Sequence, residues 1–230
     1  MQRKKIHRFL IDAPLPSTDA FSITDDRIAH QIGRVLKMDI GEEIALFSSG
    51  SGDTIAQIRE ITKDSIGVEK ISTRNPIVPI RTVIAAVAIP KGDTFELIVQ
   101  KLTELGVRTI VPLVTTRTVK QSVRLDRLQA ISDEALEQCG GSTRVTITEP
   151  KKLEECLNEF PYPSIAFEPE KNDAKEISDN AVVIYIGPEG GWSEEELEIL
   201  TDKGVSWQSL GERILRTETA AIVAAFSILG

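Results

Sequence analysis

The glycine-rich segment GPEGG, residues 187–191, is suited to chemistry because its main chain can come close to a ligand. Glycine permits backbone conformations and close approaches that other residues forbid. An apolar run at 181–186 precedes the segment, and Ser193 and Glu196 follow it with the S-x-x-E spacing of a helix capping box. The pattern predicts a turn from a strand into a capped helix, either a plain tight turn or a loop that holds a small molecule.

The charge around this segment narrows the kind of small molecule. No Gly-Lys-Ser/Thr follows the glycines, so the pattern of a phosphate-binding Walker loop fails. Several nearby carboxylates would also repel a triphosphate: Glu189, Glu194, Glu195 and Glu196. A cationic or zwitterionic ligand suits this setting better.

A second turn, LGERILRTETA at residues 210–220, joins another short apolar run to a helix. Gly211 allows a tight bend, and Ile214 and Leu215 could offer apolar walls and backbone groups to an adenine ring. Turns that follow neighbouring strands can meet at one edge of a sheet and form a small-molecule pocket there. We expect the two turns to form such a pocket.

Charged residues enter this second turn immediately before an apolar helix. Arg213, Arg216 and Glu218 lie within one helical turn and could form an ordinary surface ion pair. The helix that follows, AAIVAAFSIL, is apolar nearly all round, which is typical of a helix in a core or a subunit interface. Arg216 and Glu218 are therefore expected at a buried boundary, where charges need partners or a function.

Residues 80–230 alternate between apolar strands and helices, which predicts a mostly parallel sheet covered on both faces. The expected strands are 83–89, 109–114, 145–148, 164–167, 181–186 and 205–210. The expected helices are 95–105 (closed by Gly106), 125–139, 153–160, 194–203 and 216–229. The chemistry-bearing turns follow the last strands of this series.

Residues 1–74 look β-rich, with short strands expected at 43–48, 54–61 and 66–71. One helix is expected after the aspartate pair at 25–26, because Ile28, Ile32, Val35 and Leu36 recur at helical spacing. The segment NPIVP at 75–79 has two prolines and is expected to be a linker. A small barrel or sandwich, domain 1–74, would therefore precede domain 80–230.

Bulk properties exclude several classes of protein. The chain has 230 residues and a net charge of −8. With only 2 histidines in the sequence, we expect neither a histidine metal site nor a Ser-His-Asp triad, and no metal is expected. Cys139 and Cys156 show no paired spacing and are expected to be reduced. No apolar run is long enough for a signal peptide or membrane span, which favours a cytoplasmic protein without a membrane partner.

Taken together, these motifs resemble the RsmE-type family of ribosomal RNA uridine methyltransferases, which lies in the SPOUT superfamily. The strongest matches are IGPEGGW with S-x-x-E at 186–196 and LGERILRTETA at 210–220. Weaker matches follow in the expected order: Arg8–Phe9, RVLKMDIG at 34–41, PKGDT at 90–94, QKLTELGV at 100–107 and EQCG at 137–140. The resemblance covers nearly the whole chain.

The resemblance implies a PUA-like RNA-binding barrel followed by an α/β domain whose C-terminal segment forms a trefoil knot. It implies that S-adenosylmethionine binds in the knot and that the chain is a homodimer, for which the apolar C-terminal helix is the candidate interface. The implied reaction methylates N3 of a uridine in 16S ribosomal RNA, free or within the 30S subunit, and gives 3-methyluridine.

The resemblance also carries residue roles. The implied catalytic residues are Arg216, which would hold the uracil and favour its anion, and Glu218, which would position Arg216 or act as a base. The implied cofactor contacts are Phe167, Glu168, Ile186, Gly187, Pro188, Glu189, Gly190, Gly191, Leu210, Gly211, Ile214, Leu215, Arg216, Thr219 and Ala220. The implied RNA contacts are Arg3, Lys4, Arg8, Arg34, Lys91 and Arg117.

Two departures from the family pattern stand out. The family usually follows its EQ-x-G motif with an arginine and a Val-Pro step, but here residues 141–143 intervene before Arg144 and Thr146 replaces the proline. Trp192 stands where phenylalanine is more usual.

Three other functions stay open from the residues. The chain could act on another ribosomal or transfer RNA, or could be a non-catalytic RNA-binding assembly protein, although a binding module has no need of both cofactor turns. An NAD-dependent α/β enzyme is disfavoured because no G-x-G-x-x-G follows the strand expected at 83–89.

Overall fold

A computed structural model of the protein describes residues 6–119, 121–173 and 179–230. The chain divides into two compact units. The smaller unit contains the residues up to Val78 together with Leu136–Arg144, and the larger contains Pro79–Ala135 and Val145–Gly230. The sequence analysis kept Leu136–Arg144 with the larger domain, and the contacts described below explain the difference.

The smaller unit is built on one sheet with a short helix. Its elements are β1 (His7–Leu10), β2 (Ala20–Ile23), α1 (Asp26–His30), β3 (Glu43–Phe47), β4 (Thr54–Ile61) and β5 (Ile66–Thr73). The strand order is β1-β3-β4-β5-β2, in which β1 and β3 are parallel and the other neighbours are antiparallel. The strands β1 and β2 were not predicted.

The helix of this unit is shorter than its sequence pattern predicts. Asp25 caps α1 by accepting hydrogen bonds from the backbone N–H groups of Arg27 at 2.9 Å and Ile28 at 3.2 Å. After His30 the chain continues as a π-helical turn over Gln31–Val35. Because a π turn bonds residue i to i+5, it rotates later positions away from the α-helical face. Val35 is therefore 64% exposed, although the periodicity placed it with the buried residues.

The guanidinium of Arg8 ties three segments of the smaller unit together. It donates to the Asp53 carboxylate at 2.9 Å, to the carbonyl of Leu136 at 2.9 Å and to that of Gly141 at 3.0 Å. Its carbon Cζ also lies 4.1 Å from the centre of the Phe47 ring. Since the side chain is only 10% exposed, these groups replace the water it would otherwise bind.

Further hydrogen bonds hold Leu136–Arg144 in this unit. The Glu137 carboxylate accepts from the backbone N–H of Leu10 at 2.9 Å and from the guanidinium of Arg27 at 3.1 Å. Ser142 donates its N–H to the carbonyl of Ile77 at 3.1 Å, and its own carbonyl accepts from Gly50 at 2.7 Å. Buried backbone groups need partners, and for this segment the smaller unit supplies them.

The larger unit has a parallel sheet with helices on both faces. Its elements are β6 (Thr82–Ala88), α2 (Thr94–Leu105), β7 (Thr109–Val114), α3 (Leu125–Cys139), β8 (Thr146–Ile147), β9 (Lys151–Lys152), α4 (Leu153–Glu159), β10 (Ser164–Phe167), β11 (Ala181–Ile186), α5 (Glu194–Asp202), β12 (Ser206–Gln208) and α6 (Thr217–Leu229). The last residues of α3, from Leu136, group with the smaller unit.

The strand order in the larger unit is β12-β10-β11-β6-β7-β8, with β9 also beside β7, and each of these pairs is parallel. Phe95 of α2 and Ala221 of α6 join the apolar core on one face. Cys156 of α4 and Leu200 of α5 join the core on the other. The prediction of a mixed α/β fold with a mostly parallel sheet is confirmed.

The start of α5 is fixed by a buried carboxylate. Glu196, only 5% exposed, accepts from the backbone N–H of Ser193 at 2.9 Å, and the Ser193 hydroxyl accepts from the N–H of Glu196 at 3.2 Å. This is the predicted capping box. The other carboxylate oxygen accepts from the backbone N–H of Thr116 at 2.7 Å, a contact 80 residues distant in sequence. Glu196 therefore joins the loop after β7 to the start of α5.

We expect Arg8→Lys to lower the free energy of unfolding by about 2–4 kcal/mol, because a lysine ammonium cannot bridge a carboxylate and two carbonyls as the planar guanidinium does. Urea unfolding measures the change. The control is Arg34→Lys at an exposed position, where a change within about 0.5 kcal/mol is expected. Equal stability of the two variants would contradict the structural role of Arg8.

We expect Glu196→Gln to destabilise the protein by about 1–3 kcal/mol, because an amide nitrogen cannot accept a hydrogen bond and one of the two N–H groups loses its partner. Differential scanning calorimetry would detect the lower melting temperature. Glu195→Gln, one residue away and exposed, should leave it almost unchanged.

Candidate functional site

A cleft of about 270 Å³ opens in the larger unit where β10, β11 and β12 end. Its walls come from the loops after these three strands and from the start of α6. The lining residues are Phe167, Glu168, Pro169, Ile186, Gly187, Pro188, Glu189, Gly190, Gly191, Trp192, Leu210, Gly211, Arg213, Ile214, Leu215, Thr217 and Ala220. The two turns singled out in the sequence therefore meet in one cleft.

Most residues expected to contact a cofactor lie in this cleft, but two do not. Arg216 and Thr219 are both exposed and are not among its lining residues. Sequence reasoning missed several lining residues: Pro169, Trp192, Arg213 and Thr217. Within α6, which begins at Thr217, helical rotation brings Thr217 and Ala220 to the cleft and turns Thr219 away from it.

The glycine segment needs its glycines for different reasons. Gly191 has φ +70, a conformation that favours glycine, and its N–H donates to the carbonyl of Pro188 at 2.8 Å to close a turn. A Cβ at Gly187 would lie 3.1 Å from the indole ring of Trp192, which is itself 4% exposed. The segment therefore lies directly over a buried aromatic ring.

Three contacts hold this segment in place. The Glu189 carboxylate accepts from the backbone N–H of Lys91 at 3.2 Å, and Thr217 directs its hydroxyl toward the carbonyl of Gly187 at 3.4 Å. The guanidinium of Arg117 donates to the carbonyl of Gly190. The loops after β6 and β7 thus both reach the glycine segment.

The opposite wall is formed by the loops after β10 and β12. The Ser209 hydroxyl donates to the carbonyl of Pro169 at 2.8 Å and accepts from the N–H of Gly211 at 3.2 Å. Gly211 has φ +111, so a glycine is needed at this bend. Glu168 adds a backbone hydrogen bond to the carbonyl of Gln208 at 3.1 Å. The two loops therefore form one connected wall.

The carboxyl of Glu168 is the titratable group of the cleft with a shifted pKa. Burial raises this pKa above its ordinary value, and the charge of Lys171 lowers it by a smaller amount. A cation bound nearby would favour the ionised carboxylate. Of the four carboxylates behind the sequence expectation, Glu189 lines the cleft, where Glu168 and Arg213 join it. The expectation of a cationic or zwitterionic ligand stays a prediction.

The surroundings of Arg216 and Glu218 differ from the sequence expectation. Within one chain Arg216 is exposed and Glu218 is half-buried, so the core of the chain does not bury Arg216. Burial beside a subunit interface stays a prediction. The helix α6 buries Ala221, Ala224 and Ala225 but leaves Phe226 63% exposed. The sequence allowed α6 to lie either in the core of one chain or in a subunit interface. The exposure of Phe226 excludes complete burial of α6 in the core of one chain.

The residues expected to contact RNA fall into different surroundings. Arg34, Lys91 and Arg117 are exposed. Arg8 is not, because its guanidinium is used inside the smaller unit, which removes the structural basis for an RNA contact there. Arg3 and Lys4 lie outside the described residues.

Two further findings concern the described residues only. Among them, no three histidine, cysteine, aspartate or glutamate side chains are grouped closely enough to hold a metal ion. Over the same residues, every helix is too short or too polar to cross a membrane.

Comparison with known sequences points to one family. Residues 78–229 match the family model described as an RNA methyltransferase domain. The chain is 32% identical to ribosomal RNA small subunit methyltransferase E of Rickettsia conorii, with 96% of this chain and 93% of the relative covered. It is 31% identical to the protein of the same name from Bacillus subtilis, with 99% and 96% covered.

Solved structures agree with the sequences. Ribosomal RNA small subunit methyltransferase E of Neisseria gonorrhoeae, bound to S-adenosyl methionine, superposes with a TM-score of 0.89 at 27% identity and 97% coverage of both chains. A methyltransferase of Legionella pneumophila in complex with the same cofactor gives 0.87 at 28% identity, with 98% of this chain and 97% of the other covered. The chain belongs to the family of ribosomal RNA small subunit methyltransferase E.

Proposed function

We propose that this protein is an S-adenosylmethionine-dependent methyltransferase that methylates N3 of a uridine in small-subunit ribosomal RNA to give 3-methyluridine. The observation that carries the proposal is the cleft where β10, β11 and β12 end, in which the glycine segment faces the 210–217 turn. Relatives that match nearly the whole chain are named ribosomal RNA small subunit methyltransferase E, which supports methyl transfer to small-subunit ribosomal RNA. The choice of N3 of a uridine rests on the family resemblance of the motifs.

The cleft residues fit the cofactor in size and chemistry. The cleft volume of about 270 Å³ is just below the roughly 300–1000 Å³ common for small-molecule sites, and the cleft is open to solvent, so a ligand can extend out of it. Ile186, Leu210 and Leu215 supply apolar walls for an adenine ring, and the glycine segment brings backbone groups close to the ligand. When bound, the cofactor supplies a methyl group activated by its sulfonium.

The protein must prepare the uracil for methylation, because N3 is a poor nucleophile until its proton leaves. Arg216 is the exposed N-cap residue of α6, where its guanidinium can reach an RNA base. A positive charge there favours the uracil anion, which is an electrostatic contribution to catalysis. Glu218, the second residue of α6, orients Arg216 or takes the proton, and water is the alternative acceptor.

Unpaired RNA is the expected substrate, since base pairing would hide N3. Arg34 and Lys91 are our candidate RNA contacts among the described residues, because both are exposed and basic. Arg3 and Lys4 remain candidates from sequence. RNA affinity that falls steeply with salt is the expected behaviour of such contacts.

We assign RNA binding to domain 1–74 as a PUA-like barrel and methyl transfer to domain 80–230, joined by the linker 75–79. We further propose that the larger domain has the trefoil knot of the SPOUT superfamily. In support, β12 lies at the edge of the sheet while the following helix α6 packs against the interior strands β6 and β11. A crystal structure in which the C-terminal segment passes outside the loop between β10 and β11 would contradict the knot.

We also propose a homodimer through α6, because two apolar side chains of this helix, Phe226 and Val223, are 63% and 39% exposed. Burying such a face against a second copy removes apolar surface from water.

A methyl-transfer assay tests the catalytic proposal. Small ribosomal subunits from cells that lack this protein are the acceptor, and nucleoside mass spectrometry measures 3-methyluridine. We expect Arg216→Ala to lower turnover by about 100-fold or more while S-adenosylmethionine affinity changes little, because the arginine acts on the base. Lys203→Ala, exposed at the end of α5, is the control and should retain full turnover.

The same assay separates the alternatives. Cofactor binding without transfer to the subunit would favour another ribosomal or transfer RNA as substrate. A wild-type protein that binds RNA but no cofactor would favour the non-catalytic assembly protein and contradict the proposed function.

Analytical ultracentrifugation tests the dimer. We expect Phe226→Glu to weaken self-association by at least about tenfold, because a carboxylate would have to be buried in the interface. Thr201→Glu introduces the same charge at an exposed position of α5 and should leave the dimer intact. A wild-type protein that sediments as a monomer would exclude this interface.

A further inference from the structure

We infer that Arg117 is a positioning residue for the cofactor, which acts through the carbonyl of Gly190, and that RNA contact is not its main role. The inference rests on the proposed function, since it takes the cleft to be the S-adenosylmethionine site. It assigns to the loop after β7 the task of holding the glycine segment in its binding conformation.

The loop that carries Arg117 begins with a hydrogen-bonded turn. The hydroxyls of Thr115 and Thr118 hydrogen-bond at 2.7 Å, and the Thr118 hydroxyl also accepts from the N–H of Thr115 at 3.1 Å. The N–H of Thr118 donates back to the carbonyl of Thr115 at 3.1 Å. Both threonines are buried, at 6% and 8% exposure. The backbone of Arg117 is therefore fixed between two anchored residues.

This turn is also attached to the element that follows the glycine segment. The backbone N–H of Thr116 donates to the buried carboxylate of Glu196 at 2.7 Å, and the same carboxylate caps α5. Arg117 therefore extends from a turn whose position relative to residues 187–196 is set by a buried hydrogen bond.

The side chain of Arg117 lies along the glycine segment. Its guanidinium donates to the carbonyl of Gly190, and its Cδ lies 3.3 Å from where a Cβ at residue 190 would stand. A segment rich in glycine loses much conformational entropy when it becomes ordered. A hydrogen bond that orders it before the ligand arrives reduces the entropy lost on binding.

A solvent-facing RNA contact is the competing interpretation, because Arg117 is exposed and a guanidinium has five N–H donors. The two interpretations differ in what they predict without RNA. A residue that only contacts RNA leaves cofactor affinity unchanged, whereas a residue that orders the glycine segment changes it in the absence of any RNA.

Isothermal titration calorimetry with S-adenosylmethionine and no RNA is the first measurement. We expect Arg117→Ala to weaken cofactor binding by about three- to tenfold, because the substitution removes one hydrogen bond from an exposed charged side chain. Arg117→Lys, which keeps a donor, should recover part of the loss. Arg124→Ala is the matched control, because Arg124 is exposed on the same loop and does not line the cleft.

A double-mutant cycle with Gly190→Ala identifies the partner. Gly190 is not among the positive-φ glycines, so an alanine there is hindered chiefly by the Arg117 side chain. Gly190→Ala should weaken cofactor binding in the wild-type background and cost less when Arg117 is already alanine. Such non-additivity is expected of residues in direct contact.

Steady-state kinetics adds an independent readout. Arg117→Ala should raise the KM for S-adenosylmethionine and leave kcat within about twofold of wild type. An interaction that only orders the binding loop stabilises the bound cofactor equally in the ground state and in the transition state.

The outcomes separate this inference from the proposed function. If wild type binds the cofactor and Arg117→Ala binds it equally well, the inference is wrong, whether or not RNA affinity falls. Additive effects in the double-mutant cycle would also overturn it. A wild-type protein that binds no S-adenosylmethionine would contradict the proposed function itself.

Discussion

The candidate site depends on the parallel arrangement of β10, β11 and β12. Since β10 pairs with β11 on one side and β12 on the other, the loops that follow these three strands leave the same edge of the sheet. A shift of one residue in the pairing of any of these strands would move the loop that follows it by the same amount. The apolar cores on both faces of the sheet oppose such shifts, because a one-residue slip would turn buried side chains toward the wrong core. The geometry of the cleft is therefore determined by the register of β10, β11 and β12.

Local sequence patterns predicted this part of the molecule well. The bounds of β7, α3, β10 and β11 agree with the prediction because each is a strongly apolar or strongly periodic segment with clear ends. The glycine segment and its capping box were found for a similar reason, since turn and cap residues act within a few positions of one another. Family resemblance added the roles of these residues.

Patterns failed where distant segments determine the structure. The strand β1 is too short to show alternation, and it forms by pairing with β3, which lies more than thirty residues later. The grouping of Leu136–Arg144 with the smaller unit depends on Arg8 and Glu137, whose partners are spread along the chain. Arg8 was expected to contact RNA, because a sequence shows the charge of a residue and gives no information on its burial. The hydrogen bond from Thr116 to Glu196 could not be predicted either, because its two partners are 80 residues apart in the sequence.

The indole of Trp192 beneath the glycine segment has an evolutionary consequence. Its ring occupies the space that any side chain at residue 187 would need, so the two positions should vary together among relatives. The ring nitrogen is buried and has no hydrogen-bond partner among the described residues. A phenylalanine at this position would fill a similar volume without an unpaired donor. Selection for stability alone would therefore favour phenylalanine over tryptophan in lineages that keep the glycine.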